Sequence, residues 1–117
     1  AKSSLINVSQ EVLLEHGAVS AQCARSMAEG VAHALDTDVA IAFTGIAGPT
    51  GGTPTKPVGT VYIGIYNRKR SETRTARFQF PLGRERFRNA SVACGFLAAY
   101  QAIAMENQSY WPLKNFH

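Results

Sequence analysis

Long apolar runs, clustered cysteines and the familiar nucleotide-loop strings are all missing from this 117-residue chain. No apolar stretch approaches the roughly 20 residues needed to span a bilayer, and no secretory h-region opens the sequence. Neither a membrane partner nor export is therefore expected, and a cytoplasmic location follows as the default. Cys23 and Cys94 are the only cysteines. They form no CxxC pair and have no metal-ligand spacing, so both read as reduced thiols inside a core and no metal is expected. No cofactor is implied. Helix-turn-helix, zinc and RNP signatures are lacking, which makes nucleic acid an unlikely partner despite a net charge of +4. No internal repeat and no linker divides the chain, so residues 1–117 read as one domain with one modest core.

The charge is concentrated. Residues 68–88 hold eight of the twelve basic side chains, namely Arg68, Lys69, Arg70, Arg74, Arg77, Arg84, Arg86 and Arg88, against Glu72 and Glu85. Such a block suits solubility, a phosphate-bearing small molecule or a polyanion.

Hydrophobic periodicity gives the elements. Ser9-Gln10-Glu11 before Val12-Leu13-Leu14, closed by Gly17, reads as a short capped helix, and Ser20 caps a second helix running to about Leu35. Cys23, Met27, Val31, Ala34 and Leu35 recur at helical spacing on its expected buried face. Val39–Phe43 is an apolar strand and Val58–Tyr66 a β-branched, aromatic one. After the short polar link at residues 67–71, the alternation of Glu72–Phe80 predicts a third strand, antiparallel to the second. An alanine-rich helix follows from Arg84 to about Met105, with Phe87, Ala90, Cys94, Leu97 and Gln101 on one side. Ala93, Phe96, Tyr100 and Ile103 widen its apolar face. The tail from Asn107 to His117 shows no periodicity and reads as loop. Together these predict an α/β fold, a three-layer α/β/α sandwich around a mixed sheet. Three strands make a thin sheet for such a sandwich, so a further strand is expected; an exposed edge would invite self-pairing and a homo-oligomer.

What the chain has in excess is one loop. Thr44–Thr60, TGIAGPTGGTPTKPVGT, carries five of the ten glycines and three of the five prolines. Lys56 precedes Pro57 rather than Ser or Thr, and a strand follows instead of a helix, so this is neither a Walker loop nor a Rossmann turn. Two readings stand: a backbone N–H cradle around Thr44, Gly45, Ile46, Ala47 and Gly48 at a strand end, or a mobile surface hairpin. Arg84 and Arg88 lie one turn apart at the start of the last helix, with Arg86 nearby. Cations there oppose the helix dipole by roughly 0.3–1 kcal/mol each, a cost that a bound phosphate would reverse. His16 reads as a helix-end residue, His33 as a surface residue, and Ser20 as a cap rather than a nucleophile.

Read with its neighbours, the loop resembles a known family. Leu14-Glu15-His16-Gly17-Ala18-Val19-Ser20, Met27-Ala28-Glu29-Gly30, Thr44-Gly45-Ile46-Ala47-Gly48-Pro49-x-Gly51-Gly52-Thr53 and Lys56-Pro57-Val58-Gly59-Thr60-Val61 look like the C-terminal domain of the CinA family. That family includes competence/damage-inducible protein A and stand-alone nicotinamide-nucleotide amidases. The likeness runs through Phe80, Gly83-Arg84 and Arg88, over residues 1 to about 105. It implies hydrolysis of the nicotinamide mononucleotide carboxamide to nicotinate mononucleotide and ammonia, with a nucleotide as small-molecule partner. It also implies a serine nucleophile in a Glu-Ser-Cys-Thr-Gly-Gly motif that this sequence does not contain, so roughly the first third of the family domain is expected to be absent and the fragment inactive alone. The family lysine falls on Lys2, the expected catalytic base. Thr44, Gly45, Ile46, Ala47 and Gly48 would bind substrate, and Arg84 or Arg88 the 5′-phosphate. The alternative is a non-catalytic nucleotide-binding or interaction module of the same type.

Overall fold

A computed structural model describes residues 17–105 and 107–117. Lys2, His16 and the expected helix ahead of Gly17 lie outside the described residues. The elements run α1 (Ala21–Leu35), β1 (Val39–Gly45), β2 (Thr60–Asn67), β3 (Glu72–Gln79), α2 (Arg84–Ala104) and a 3-10 turn, Leu113–Asn115. The strands form one sheet in the order β1-β2-β3. Ile41 lies opposite Ile65 and Phe43 opposite Ile63, while Ile63 lies opposite Ala76 and Val61 opposite Phe78.

That register separates two unlike faces. Ile41, Phe43, Val61, Ile63, Ile65, Ala76 and Phe78 project to the side where α2 brings Phe87, Cys94 and Ala98, and this side holds the main core. Ala40, Ala42, Thr44, Thr60 and Gly64 belong to the opposite face, covered by α1. The α/β fold with helices on both faces is as expected. Both strand pairings are antiparallel, so the mixed character of the expected sheet has no counterpart among the described strands.

Ser20 begins α1 as expected: its Oγ accepts from the Cys23 N–H at 3.1 Å and donates to the Gly17 carbonyl at 3.0 Å. The buried stripe differs from the expected one. Cys23, Ala24, Ala28 and Ala32 face the sheet, whereas Leu35 is exposed. Small residues won because the helix seats directly on the strand: a Cβ on Gly64 would lie 2.6 Å from the Ala24 carbonyl oxygen. Periodicity located the helix, but the largest apolar residues did not mark its contact face.

The tail is loop as read, apart from the 3-10 turn at Leu113–Asn115, but it is packed into the fold. Leu113 and Phe116 are buried, and Phe116 packs against Phe78 at 5.8 Å between ring centres. The backbones of Thr75 and His117 exchange hydrogen bonds of 3.1 and 2.8 Å. Gln101 clamps the segment from α2, donating to the Trp111 carbonyl and accepting from the Leu113 N–H. Arg74 donates to Gln108 Oε1 at 3.1 Å and to the Phe116 carbonyl at 2.9 Å. The tail therefore covers β3 as an irregular plug. Its contacts are long-range, and no local periodicity could announce them.

The two cysteines are free and buried, as read from their spacing. Burial pushes the Cys94 thiol up to about 11, from an ordinary 9.0. The unfolded chain would lose this proton first, so its ionisation drains the folded state as pH rises from 9 through 11. Urea midpoints should fall across that window, and Cys94→Ala should flatten this part of the profile. An equally steep decline in the variant would show that other groups cause it.

Candidate functional site

The Gly-Thr loop leaves the end of β1 and returns into β2, and hydrogen bonds close its base. The Ile46 N–H donates to the Thr60 carbonyl at 2.9 Å, and the Gly59 N–H donates to the Ile46 carbonyl at 2.7 Å. Gly59 has φ 96° and lies against Phe80 and Pro81, where a Cβ would come within 2.9 Å of both backbones. This positive φ interrupts the expected strand start at Val58, so β2 begins at Thr60.

Farther out, Lys56 N–H donates to Thr53 Oγ1 at 3.0 Å, and the Thr53 N–H to the Lys56 carbonyl at 2.9 Å. Arg77 donates to the Thr55 carbonyl at 2.8 Å, and Gln79 to the Val58 carbonyl at 2.9 Å. Of the two sequence readings, a mobile hairpin does not fit a loop tied at so many points.

The loop also grips the entrance to α1. Thr44 Oγ1, on a residue only 5% exposed, donates to the Ala18 carbonyl at 2.6 Å. Lys56 Nζ donates to the Val19 carbonyl and stands 5.6 Å from the centre of the Tyr62 ring. The Arg77 guanidinium stands 5.8 Å from the same ring centre. From the sequence, Lys56 argues against a Walker loop and opens the family-like string Lys56-Pro57-Val58-Gly59-Thr60-Val61, while Tyr62 has no role beyond the strand. Their meeting joins loop to strand, and the available signal was the Lys56-Pro57-Val58-Gly59-Thr60 string itself.

Gly45 ties the loop to α2. A Cβ there would lie 2.6 Å from the Thr60 carbonyl oxygen and 2.9 Å from Phe87 Cζ. Phe87, 5% exposed, belongs to the first turn of α2, so the glycine brings that turn against the strand end. Arg84 and Arg88 are exposed and lie three residues before and one after Phe87, on neighbouring turns of the same helix side. Gly83 precedes the helix with φ 87° and makes no side-chain cap, leaving the first N–H groups of α2 without a capping side chain.

The five loop residues singled out from sequence differ in what they can offer. Ile46 has spent its N–H on the sheet, and Thr44 faces β2 by the alternation of the ladder. Gly45 turns its N–H away from β2, while Ala47 and Gly48 lie beyond the last sheet bond. Gly48 holds φ 89°, and a Cβ on it would meet Val58 Cγ1 at 2.5 Å. Lys2, the expected base, is outside the described residues.

The basic block is partly engaged elsewhere. Arg68 pairs with Asp36 at 2.8 Å and Asp38 at 3.5 Å, Arg74 holds the tail and Arg77 holds the loop. Among the described residues no group of three His, Cys, Asp or Glu could hold a metal ion. No described helix is long and apolar enough to cross a membrane.

An α/β/α domain with a hydrogen-bonded Gly-Thr loop at a strand end, close to an arginine-bearing helix start, defines the class of protein. Residues 1–103 match the CinA C-terminal domain, and the chain belongs to that family. It is 48% identical over 92 residues to a CinA-like protein of Dictyoglomus thermophilum, covering 79% of this chain and 22% of the relative. It is 43% identical over 102 residues to a CinA-like protein of Leptospira interrogans, covering 87% of this chain and 24% of the relative. The chain thus spans less than a quarter of the length of these curated relatives. Among solved structures it is similar to competence damage-inducible protein A of Klebsiella pneumoniae, with TM-score 0.82 and 32% identity over 91% of this chain and 65% of that one. A second similar structure is the competence/damage inducible protein of Agrobacterium tumefaciens, with TM-score 0.79 and 35% identity over 86% and 62%.

Proposed function

We propose that this chain supplies the substrate-holding side of an amidohydrolase that converts nicotinamide mononucleotide and water to nicotinate mononucleotide and ammonia. The contact between Gly45 and Phe87 is the main support, because it sets the loop's outward N–H groups and the arginine-bearing turn of α2 at one end of the sheet. A nucleotide has a carboxamide at one end and a phosphate at the other, and needs donors of two kinds. Gly45, Ala47 and Gly48 would present N–H groups to the carboxamide oxygen, which gains charge as a tetrahedral centre forms. Arg84 and Arg88 would hold the phosphate, in the field of the uncapped helix start. Thr44 and Lys56 serve the site by fixing the α1 entrance against the loop.

The remaining groups follow from the family resemblance. A serine hydroxyl would add to the carboxamide carbon while Lys2 takes its proton. Lys2 would return that proton to the departing ammonia, and water would then cleave the acyl-serine. A lysine can do this only when neutral, so its site must disfavour the charged form. The serine-bearing string Glu-Ser-Cys-Thr-Gly-Gly is not in this sequence, so these 117 residues alone should bind nucleotide without turning it over.

Calorimetric titration tests the binding half. Arg88→Ala should weaken nicotinamide mononucleotide about tenfold, the order expected for a lost charge-assisted bond, and leave nicotinamide riboside nearly unchanged. Equal losses for both would remove the phosphate contact. Ammonia release should appear when a segment carrying the serine string is joined ahead of Ala1, and vanish on Lys2→Ala. Binding without release in that joined chain would favour the non-catalytic nucleotide-binding module instead. Release by the 117 residues alone, abolished by Ser20→Ala or Cys23→Ala, would overturn the serine–lysine scheme.

A further inference from the structure

The two limbs of the Gly-Thr loop are held in opposite ways. On the return limb the backbone is bonded at each step. The Pro57 carbonyl accepts from the Thr60 N–H at 3.1 Å, the Gly59 N–H donates to the Ile46 carbonyl at 2.7 Å, and the Gly59 carbonyl accepts from the Phe80 N–H at 2.7 Å. Between them the Val58 carbonyl accepts from Gln79 Nε2 at 2.9 Å, and Gln79 Oε1 lies 3.0 Å from Thr60 Oγ1. Arg77 fixes this limb farther out, through the Thr55 carbonyl. On the outgoing limb, residues 47–52 make no hydrogen bond among the described residues. Yet this is the limb that carries the Ala47 and Gly48 N–H groups assigned above to the carboxamide.

Packing supplies what hydrogen bonds do not. Ala47 rests against the main core. Beyond it the limb leans on one side chain. A Cβ on Gly48 would meet Val58 Cγ1 at 2.5 Å, and one on Gly52 would lie 2.7 Å from the Val58 nitrogen and 3.0 Å from its Cγ2. Two glycines thus close on the same valine, which fills the space their side chains would take. Val58 cannot follow the outgoing limb, because the peptide groups on either side of it are both bonded. Position therefore passes from Gln79 on β3 through Val58 to Gly48.

We propose that Val58, held by Gln79, is the positioning residue that sets the Ala47 and Gly48 N–H groups for the carboxamide. Its part is indirect: it keeps two donors in place before the ligand arrives, so that little freedom is lost on binding. This inference rests on the amidohydrolase reading above, and its test reads the free chain and the bound ligand separately.

NMR relaxation on the free 117-residue chain gives backbone order parameters at Ala47 and Gly48. They should be about 0.85, as in rigid backbone, and drop below about 0.6 in Val58→Ala. Calorimetric titration should show Val58→Ala weakening nicotinamide mononucleotide and nicotinamide riboside by the same factor, about tenfold, whereas Arg88→Ala affects the mononucleotide alone. Val58→Thr keeps the branched shape and should restore both readings. Gln79→Leu should give a smaller loss, about threefold, on both ligands. Urea midpoints should move little, since neither Val58 nor Gln79 is fully buried. Unchanged order parameters in Val58→Ala, or damage by Val58→Thr as large as that by Val58→Ala, would overturn the proposal. So would a loosened limb with undiminished riboside binding, because the carboxamide would then not depend on this limb. Binding of neither ligand by the unaltered chain would instead overturn the amidohydrolase reading, and the relaxation data would still decide whether Val58 holds the limb.

Discussion

Gly64→Ala should lower the stability of the domain by about 2–3 kcal/mol, and Gly64→Val should abolish cooperative unfolding altogether. Gly64 sits at the centre of β2, opposite Ala42 on one side and Thr75 on the other. A methyl group there would meet the Ala24 carbonyl oxygen at 2.6 Å, the Ala24 carbonyl carbon at 2.9 Å and the Arg25 nitrogen at 3.3 Å. All three atoms belong to the backbone of α1, so no side chain can rotate away to make room. The helix would have to lift, and the buried alanines at 24, 28 and 32 have no reach to fill the gap. In an unstrained strand, alanine would gain roughly 0.5–1 kcal/mol over glycine from a smaller entropy loss. The steric term exceeds that gain and sets the sign. Urea unfolding followed by circular dichroism measures it, and an unchanged or raised midpoint for Gly64→Ala would show that α1 is not seated on this glycine. The loss carries a functional consequence, because α1 begins at the segment that Thr44 and Lys56 hold. A lifted helix pulls on both anchors.

The same glycine shows what a sequence can and cannot reveal. Local signals located the elements well: the Ser20 cap, the apolar run from Val39, the alternation after Glu72 and the helix from Arg84 all lie where the structure puts them. Which residues face what was harder. Leu35 fitted the helical period yet is exposed, because α1 approaches the sheet through alanine and Gly64 rather than through bulk. Phe96, Tyr100 and Ile103 fitted an apolar face with nothing described against it. Leu113 and Phe116 are buried in a segment with no period at all, held by Gln101 and Arg74 from distant elements. The candidate site divides along the same line. The loop was legible from composition, since five glycines and three prolines in one connection are costly to keep without a purpose. The approach of Phe87 to Gly45, and of Lys56 and Arg77 to Tyr62, depends on folding in three dimensions and has no local signature. Arg84 and Arg88 were picked out by charge at a helix start; what brings that start to the loop is the apolar residue between them.

Phe87→Ala should therefore be the most damaging single truncation on α2, costing about 3–5 kcal/mol and most of the nucleotide affinity together. The ring is buried within the cluster of Val61, Phe78 and Cys94, so its loss leaves a cavity at the junction of helix, strand and loop. Phe87→Leu separates the two effects. It should cost under about 1.5 kcal/mol, since volume is largely kept, yet still weaken nicotinamide mononucleotide by letting the arginine-bearing turn shift. Gly45→Ala tests the other side of the contact. Its Cβ would press on the Phe87 ring at 2.9 Å, but more closely on the Thr60 carbonyl at 2.6 Å, and Val61 Cα is 3.2 Å away. A ring can tilt; a carbonyl fixed in the β1–β2 ladder cannot. Gly45→Ala should thus destabilise by about 1–3 kcal/mol, and the Phe87→Leu background should relieve less than half of it. A double-mutant cycle measured by urea unfolding supplies the number. Full rescue by Phe87→Leu would mean that the ring alone demands glycine at position 45, and the strand end would then be free to move with α2. Partial rescue would mean that the sheet itself fixes the start of the loop, with the helix brought to it, which is the arrangement a preformed binding site requires.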